Sequence, residues 1–347
     1  MKRLPRSLTR SANFDPTQMK HATCLSDLGP ETVKEIFSTA KAWKGKPHPK
    51  HLRDKLLGML FFNPSLRTRV SFEAVMARGG GSAVLMEAGN STWKFEHRFG
   101  AVMDADCAEH LKEAVPVLCR YIDALAVRTF ADGVDDDADH NDLVIKSFRQ
   151  YATVPIVSME SAREHPCQGM ADLLTIEEHF GSPKGLPVTL TWAPHIKSLP
   201  KAVPNSFLLT AAALGCELRV AHPHGFELHS DLVREAETYS AASGGSISFF
   251  HEQDPALDQS RVVYAKAWGP ATSLAKGPDV VRQHADWMVS PSHMERAAHD
   301  AIFLHCLPVR RNVEVADAVL DGTWSRVVDE AENRFHVQRA LLDWLLN

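Results

Sequence analysis

Ser65, Arg67, Thr68 and Arg69, in S-L-R-T-R, put two hydroxyl donors and two guanidinium groups within five positions. Forked N–H donors of this kind match the oxygens of a phosphate. The motif follows an apolar run, Leu56 to Phe62, and an Asn63-Pro64 turn signal, after which Val70, Phe72, Val75 and Met76 recur at roughly helical spacing. The sequence therefore predicts a strand that hands over to a helix N-terminus at Ser65 to Arg69. Free backbone N–H groups and the helix dipole stabilise an anion at such a point. Taken alone, the same residues also fit a solvated first turn whose arginines pair with Glu73.

Other chemistry-bearing residues fall where further strands should stop. Ile122 to Val127 is followed by Arg128, Val154 to Met159 by Glu160, and Arg261 to Ala265 by Lys266. Strands are also predicted at Ser82 to Met86, Val188 to Trp192, Leu218 to Ala221 and Ile302 to Leu304, with His195 shortly after the second of these. Helical spacing covers Pro30 to Trp43, Leu111 to Tyr121, Ala171 to Phe180, Phe207 to Leu214, Leu232 to Tyr239 and Glu332 to Leu346. Strands alternating with helices predict an α/β chain of two doubly wound parallel-sheet domains, in which ligands gather at the C-terminal ends of strands. The domain change is expected near Pro155, giving domains 1–155 and 156–329, with the helix of 330–347 returning to the first. H-P-C-Q, His165 to Gln168, opens one helix facing the same crevice. The irregular stretch Glu87 to Glu109, containing Trp93, reads as a functional or interfacial loop, and Ala131 to Asp142 as a solvated acidic loop.

A chain of 347 residues that is 44% hydrophobic is long enough for two core-bearing domains. Its net charge of −5, with no basic stripe, argues against a nucleic-acid partner. Six cysteines without short paired spacings argue against both a disulfide framework and a zinc knuckle, and read as reduced thiols of a cytoplasmic protein. The start, M-K-R-L-P-R-S-L-T-R, lacks the apolar core of a secretory signal, and no apolar run is long enough to span a bilayer. There is no G-x-G-x-x-G and no P-loop. No metal or other cofactor is expected.

S-L-R-T-R, H-P-C-Q and H-C-L-P (His305 to Pro308), in that order, resemble the aspartate/ornithine carbamoyltransferase superfamily over nearly the whole chain. W-K-F-E (Trp93 to Glu96), T-W-A-P-H (Thr191 to His195), L-P-K-A-V-P-N-S (Leu199 to Ser206), Y-A-K-A-W (Tyr264 to Trp268) and H-C-L-P-V-R-R-N (His305 to Asn312) are similar to its N-acylornithine branch. Members of that branch carbamoylate N-acetyl- or N-succinylornithine, and the S-M-G loop of ordinary ornithine enzymes is absent here. The resemblance implies a step of arginine biosynthesis catalysed by a homotrimer with shared active sites. It implies that Ser65, the Leu66 backbone, Arg67, Thr68, Arg128, His165, Gln168 and Arg334 hold carbamoyl phosphate, with Trp93 arriving from a neighbouring subunit. Arg67, Thr68, Arg128 and His165 would be catalytic. Glu160, His195, Lys266, Arg310 and the carbonyls around Cys306 and Leu307 would hold the amino-acid substrate, the Cys306 sulfur itself being an inert buried thiol.

Two departures bear on the acyl group. Where the resemblance implies a carboxylated lysine in acetylornithine enzymes this chain has Glu314, and where it implies a glutamate in the donated loop the chain has Ala108. Loss of that glutamate leaves room for a dianionic succinyl group, so N-succinylornithine is the expected acceptor, ahead of N-acetylornithine and plain ornithine. Two rivals of other classes are a dinucleotide-binding oxidoreductase on a similar fold and a catalytically silent trimer serving as a scaffold. The missing glycine fingerprint speaks against the first. Joint retention of Arg67, Arg128, His165 and Gln168 speaks against the second.

Overall fold

The computed structural model describes residues 19–133, 135–270 and 278–347, so the N-terminal M-K-R-L-P-R-S-L-T-R lies outside the described residues. Buried apolar runs make the strands. β1 (Leu56–Phe61), β2 (Ser82–Glu87), β3 (Ala124–Arg128) and β4 (Ile156–Glu160) form one sheet, ordered β2-β1-β3-β4 with every pair parallel. A second parallel sheet joins β5 (Pro187–Trp192), β6 (Glu217–Ala221), β7 (Ser246–Phe250), β8 (Val262–Lys266) and β9 (Ile302–Leu304) in the order β9-β8-β5-β6-β7. These are the two parallel-sheet α/β units that the alternation of strands and helices predicts.

Strand order reverses once in each sheet, between β1 and β3 in the first and between β5 and β8 in the second. The loops leaving adjacent strands diverge there and open a crevice. At the first reversal, Phe62 N–H donates to Arg128 O at 2.9 Å and Phe130 N–H to Asn63 Oδ1 at 2.8 Å. At the second, Ala193 N–H donates to Lys266 O at 3.1 Å.

The helices that matter for the site are α1 (Leu25–Trp43), α2 (Arg67–Gly79), α3 (Leu111–Leu118), α4 (Asp136–Asn141), α5 (Leu143–Tyr151), α6 (Pro166–Phe180), α7 (Ala202–Ala213), α8 (Ser230–Ser243) and the C-terminal helix Val327–Leu346. The last packs on α1, α2 and α6, and so returns to the first sheet. Helix α6 carries the chain from one sheet to the other and lies against α7. Its Gly169 lets them approach: a Cβ there would sit 2.7 Å from both Ser206 O and Thr210 Oγ1.

Three expectations need correction. The domain boundary at 155 falls one residue before β4, yet β4 pairs with β3 and belongs to the first sheet, so the crossover comes later, in α6. Strand β7 was not expected, because this edge strand has a half-exposed pattern with no long apolar run. From Asp136 onward the acidic stretch is not a solvated loop. It folds α4 between the two units, with Lys201 Nζ 2.8 Å from Asp136 Oδ1, His229 Nε2 2.8 Å from Asp137 Oδ1, and Asp142 buried against the Ser161 hydroxyl at 2.5 Å. Among the described residues no helix is long and apolar enough to cross a membrane. All six cysteines are free thiols.

Candidate active site

Helix α2 starts at Arg67 and its N-cap, Leu66, offers no side-chain cap, so the first-turn N–H groups face the crevice at the end of β1. Thr68 is buried in that turn. Arg334, from the C-terminal helix, donates from Nη2 to Thr68 Oγ1 at 2.8 Å and from Nη1 to Gln168 Oε1 at 3.1 Å. Beside them Arg128 and Glu160, which are register partners at the ends of β3 and β4, form a buried ion pair of 2.7 Å. His165 Nε2 lies 4.0 Å from the same Glu160 oxygen, and the His165 backbone N–H is fixed by Ser206 Oγ of α7 at 2.7 Å.

This end of the crevice is rich in cations. Burial lowers the pKa of Arg67 and of Arg334, and Arg128 lowers both further by like-charge repulsion. Burial, then Arg334 and Arg128, hold His165 well below the usual histidine range, so it is neutral. Among the described residues, Nε of Arg67, Arg128 and Arg334 and Nδ1 of His165 are buried without a hydrogen-bond partner. Buried donors without partners are expensive, and one anion placed among them would relieve both that penalty and the mutual repulsion. Arg69 stands outside the cluster, exposed, with Glu73 at 3.3 Å and Glu87 at 3.8 Å. The solvated-turn alternative thus holds for Arg69 and not for Arg67.

From Gln168 the contacts run on toward the second sheet. Gln168 Nε2 donates to Asp172 Oδ1 at 2.6 Å and to Glu330 Oε1 at 3.0 Å, and Glu330 Oε2 accepts from the His305 backbone at 2.8 Å. Burial pushes Asp172 up to about 7 and, with Asp172 as neighbour, carries Glu330 well above the carboxylate range. Burial of these two neighbouring carboxyls favours a proton on at least one of them, which lowers the negative charge facing the cations. His305 Nδ1 accepts from Leu307 N–H at 2.9 Å, and its Nε2 lies 3.6 Å from Glu314 Oε1. Glu330, Asp172 and His305 were not among the expected site residues. The spacing of Asp172 four residues after Gln168 on one helix was the available signal.

The second crevice end holds the other expected residues. Lys266 is buried and has no carboxylate within 4.0 Å among the described residues. Exposed Arg310 donates from Nε to His195 Nε2 at 2.9 Å, while His195 Nδ1 lies 2.9 Å from Lys197 O. Neither cation nor His195 is spent on Glu160. Glu314 is 1% exposed, accepts from Arg310 N–H at 2.6 Å through one oxygen, and its other oxygen lies 3.6 Å from His305 Nε2. Cys306 is buried and its thiol is pushed up to about 12 by that burial, so it is no nucleophile.

Two expected residues are not brought into this cluster. Trp93 is 56% exposed, its indole donating to Glu109 Oε2 at 2.8 Å, and Ala108 lies exposed on the same loop, held by its N–H to Lys94 O at 3.1 Å. Phe99, Val102 and Met103 on that loop, Leu66 at the N-cap of α2 and Val70 on α2 are also exposed.

Comparison with known proteins gives this geometry a context. Residues 20–178 match the carbamoyl-P binding domain of aspartate/ornithine carbamoyltransferase, and residues 200–345 its Asp/Orn binding domain. The N-acetylornithine carbamoyltransferase of Xanthomonas campestris pv. campestris is 37% identical over 329 residues, 93% of this chain and 97% of that protein. The N-succinylornithine carbamoyltransferase of Bacteroides thetaiotaomicron is 37% identical over 320 residues, 91% of this chain and 95% of its own. A crystal structure of a glutamate-to-alanine variant of N-acetyl-L-ornithine transcarbamylase, complexed with carbamyl phosphate and N-succinyl-L-norvaline, superposes with a TM-score of 0.90 at 37% identity, covering 94% of this chain and all of the other.

Proposed function

Because the chain belongs to the aspartate/ornithine carbamoyltransferase family, and is therefore a carbamoyltransferase, we propose that it transfers the carbamoyl group of carbamoyl phosphate to the δ-amine of an N2-acylornithine, with N-succinylornithine preferred and N-acetylornithine next. The observation that carries the reading is the set of buried, unpartnered donors on Arg67, Arg128, Arg334 and His165 around the open N-terminus of α2. A phosphorylated anion satisfies them together.

In this reading the phosphoryl oxygens take the α2 N–H groups, Ser65, Arg67 and Arg334, with Gln168 and the Leu66 backbone completing the cradle. The carbamoyl oxygen takes Thr68, Arg128 and neutral His165. A neutral δ-amine attacks the carbamoyl carbon, the new C–N bond forms as the C–O bond to phosphate breaks, and the departing phosphate accepts the amine's proton. Fixed donors aimed at the developing oxyanion and at the leaving group supply the electrostatic part of the rate, and the crevice supplies the alignment. Arg128 must then turn part of its charge from Glu160 toward substrate. Lys266, His195 and Arg310, with carbonyls near Cys306 and Leu307, are left to receive the carboxylates of the acceptor, and Glu160 its amine end.

The preference for the succinyl group rests on Ala108 and on the burial of Glu314. An alanine repels nothing, and Glu314 is buried with one oxygen tied to the Arg310 N–H, whereas Ala108 lies on an exposed loop. The solved complex of the glutamate-to-alanine variant with N-succinyl-L-norvaline is in keeping with this. We further place the protein in the cytoplasm as a homotrimer, the exposed apolar residues of the Trp93 loop and of α2 being covered by a second copy. The test of the acyl choice is Ala108→Glu. The ratio of kcat/KM for succinylornithine to that for acetylornithine should fall at least about tenfold, equivalent to ~1.4 kcal/mol. An unchanged ratio removes Ala108 from the argument.

A further inference from the structure

The adjacent strands β6 and β7 end in histidines that the carbamoyl-transfer site does not use. His222 follows β6, His251 follows β7, and His222 N–H donates to Phe250 O at 3.0 Å, so the two are held side by side. Their rings stand 5.1 Å apart at 81°. His222 Nδ1 lies 2.9 Å from Pro223 O and His251 Nδ1 lies 3.3 Å from His222 O. A neutral imidazole that gives its Nδ1 hydrogen to a carbonyl keeps its lone pair on Nε2 and its ring direction fixed, the arrangement that prepares histidine for a metal.

The loop that leaves β6, H-P-H-G-F-E, brings in a carboxylate. Glu227 Oε1 accepts from Gly225 N–H at 3.0 Å, which folds the loop back, and one ligand atom from each of His222, Glu227 and His251 lies within 4.8 Å of the other two. His222 is buried, which keeps it neutral at lower pH than a free histidine. His224 stacks on His251 at 3.8 Å and limits its swing.

We propose that His222, Glu227 and His251 form a binding site for a divalent transition metal of the zinc class, separate from the carbamoyl-transfer crevice. Two imidazole nitrogens and one carboxylate suit zinc, cobalt or nickel, whereas calcium and magnesium ask for a shell of oxygens. The other histidine cluster among the described residues is a poorer host. His229 spends Nε2 on Asp137 at 2.8 Å and Nδ1 on the Asp231 N–H at 3.2 Å, and His140 lies flat on it at 3.9 Å. A metal at His222 would also stiffen a loop whose Phe226 carbonyl accepts from Trp268 Nε1 at 2.7 Å, giving the ion a tryptophan reporter.

The test uses the full chain, freed of metal with a chelator and exchanged into chelator-free buffer at about pH 7.5, where the ligands are deprotonated. It is titrated with Co²⁺ by visible absorption and tryptophan fluorescence, and with Zn²⁺ by calorimetry. One equivalent should bind per chain, and both His251→Gln and Glu227→Gln, checked for folding by circular dichroism, should weaken it by more than the ~10–100-fold that losing a mere neighbour of a ligand costs. His229→Gln should bind as the parent does. Absence of one-to-one binding in the parent, binding retained in His251→Gln and Glu227→Gln, or binding lost in His229→Gln instead would each overturn the assignment.

Discussion

Arg334 Nη2 lies 2.8 Å from Thr68 Oγ1, across 266 positions of sequence. The last helix of the chain thereby completes a site begun by the first strand-to-helix turn, and the same guanidinium reaches Gln168 of α6 at 3.1 Å. Three separate segments are locked around one buried cation. Loss of any of them should be felt at the others.

Arg67→Ala should lower kcat/KM by about 2–4 kcal/mol, the scale for a charge-assisted donor to a departing oxyanion. Steady-state kinetics with carbamoyl phosphate varied at saturating acceptor measures it. Activity within a fewfold of the parent means that Arg67 is not a phosphate ligand.

Sharing of the site between subunits makes a separate prediction. Trp93 stands 56% exposed on a loop with no bond to the Arg67 cluster among the described residues, so Trp93→Ala and Arg67→Ala should each be strongly impaired alone for different reasons. Mixing the two chains under conditions of verified subunit exchange should restore part of the activity. No recovery would mean that each chain builds its site alone.

Buried His165 titrates below its ordinary pKa of 6.5. Under folding linkage the unfolded chain then takes up a proton below about pH 6.5 that the folded chain refuses, so stability is lost as pH falls through that range until the depressed folded pKa is reached. Above pH 6.5 the term vanishes. Glu164, pushed by burial up to about 8, acts in the opposite sense, losing stability as pH rises from the ordinary carboxylate range toward 8, and is common to parent and variant. Urea unfolding of parent and His165→Gln at pH 5 and pH 7 should therefore show a smaller acid loss in the variant, by up to ~1.4 kcal/mol per pH unit for the one proton. Equal acid losses would show that His165 takes up its proton in the fold.

Gly169→Ala should destabilise by about 1–3 kcal/mol, since the new methyl meets Ser206 O and Thr210 Oγ1 at 2.7 Å across the α6–α7 contact. Because Ser206 also fixes the His165 backbone, activity should fall along with the unfolding midpoint. A variant as stable as the parent would mean that the two helices part easily.

The sequence announced the site where a strand ended at a charged residue. Arg128, Glu160 and Lys266 close apolar runs, and a parallel sheet sends all such ends to one side. Buried carboxylates were harder to foresee. Glu330 and Asp172 look like ordinary helix-surface acids until Gln168 and the His305 backbone, distant in sequence, close over them. The edge strand Ser246–Phe250 and the bridging role of Asp136 and Asp137 were hidden for the same reason. Half-exposed or charged stretches carry little periodicity, and only tertiary partners such as Lys201 and His229 give them a place.

A citrulline-forming assay with carbamoyl phosphate against succinylornithine, acetylornithine and ornithine side by side decides which acceptor the crevice takes. The proposed reading predicts turnover with both acylated acceptors, the highest kcat/KM with succinylornithine, and little with ornithine. A higher kcat/KM with ornithine than with either acylated acceptor would contradict the N-acylornithine reading, and a higher value with acetylornithine than with succinylornithine would contradict the acyl preference drawn from Ala108 and Glu314.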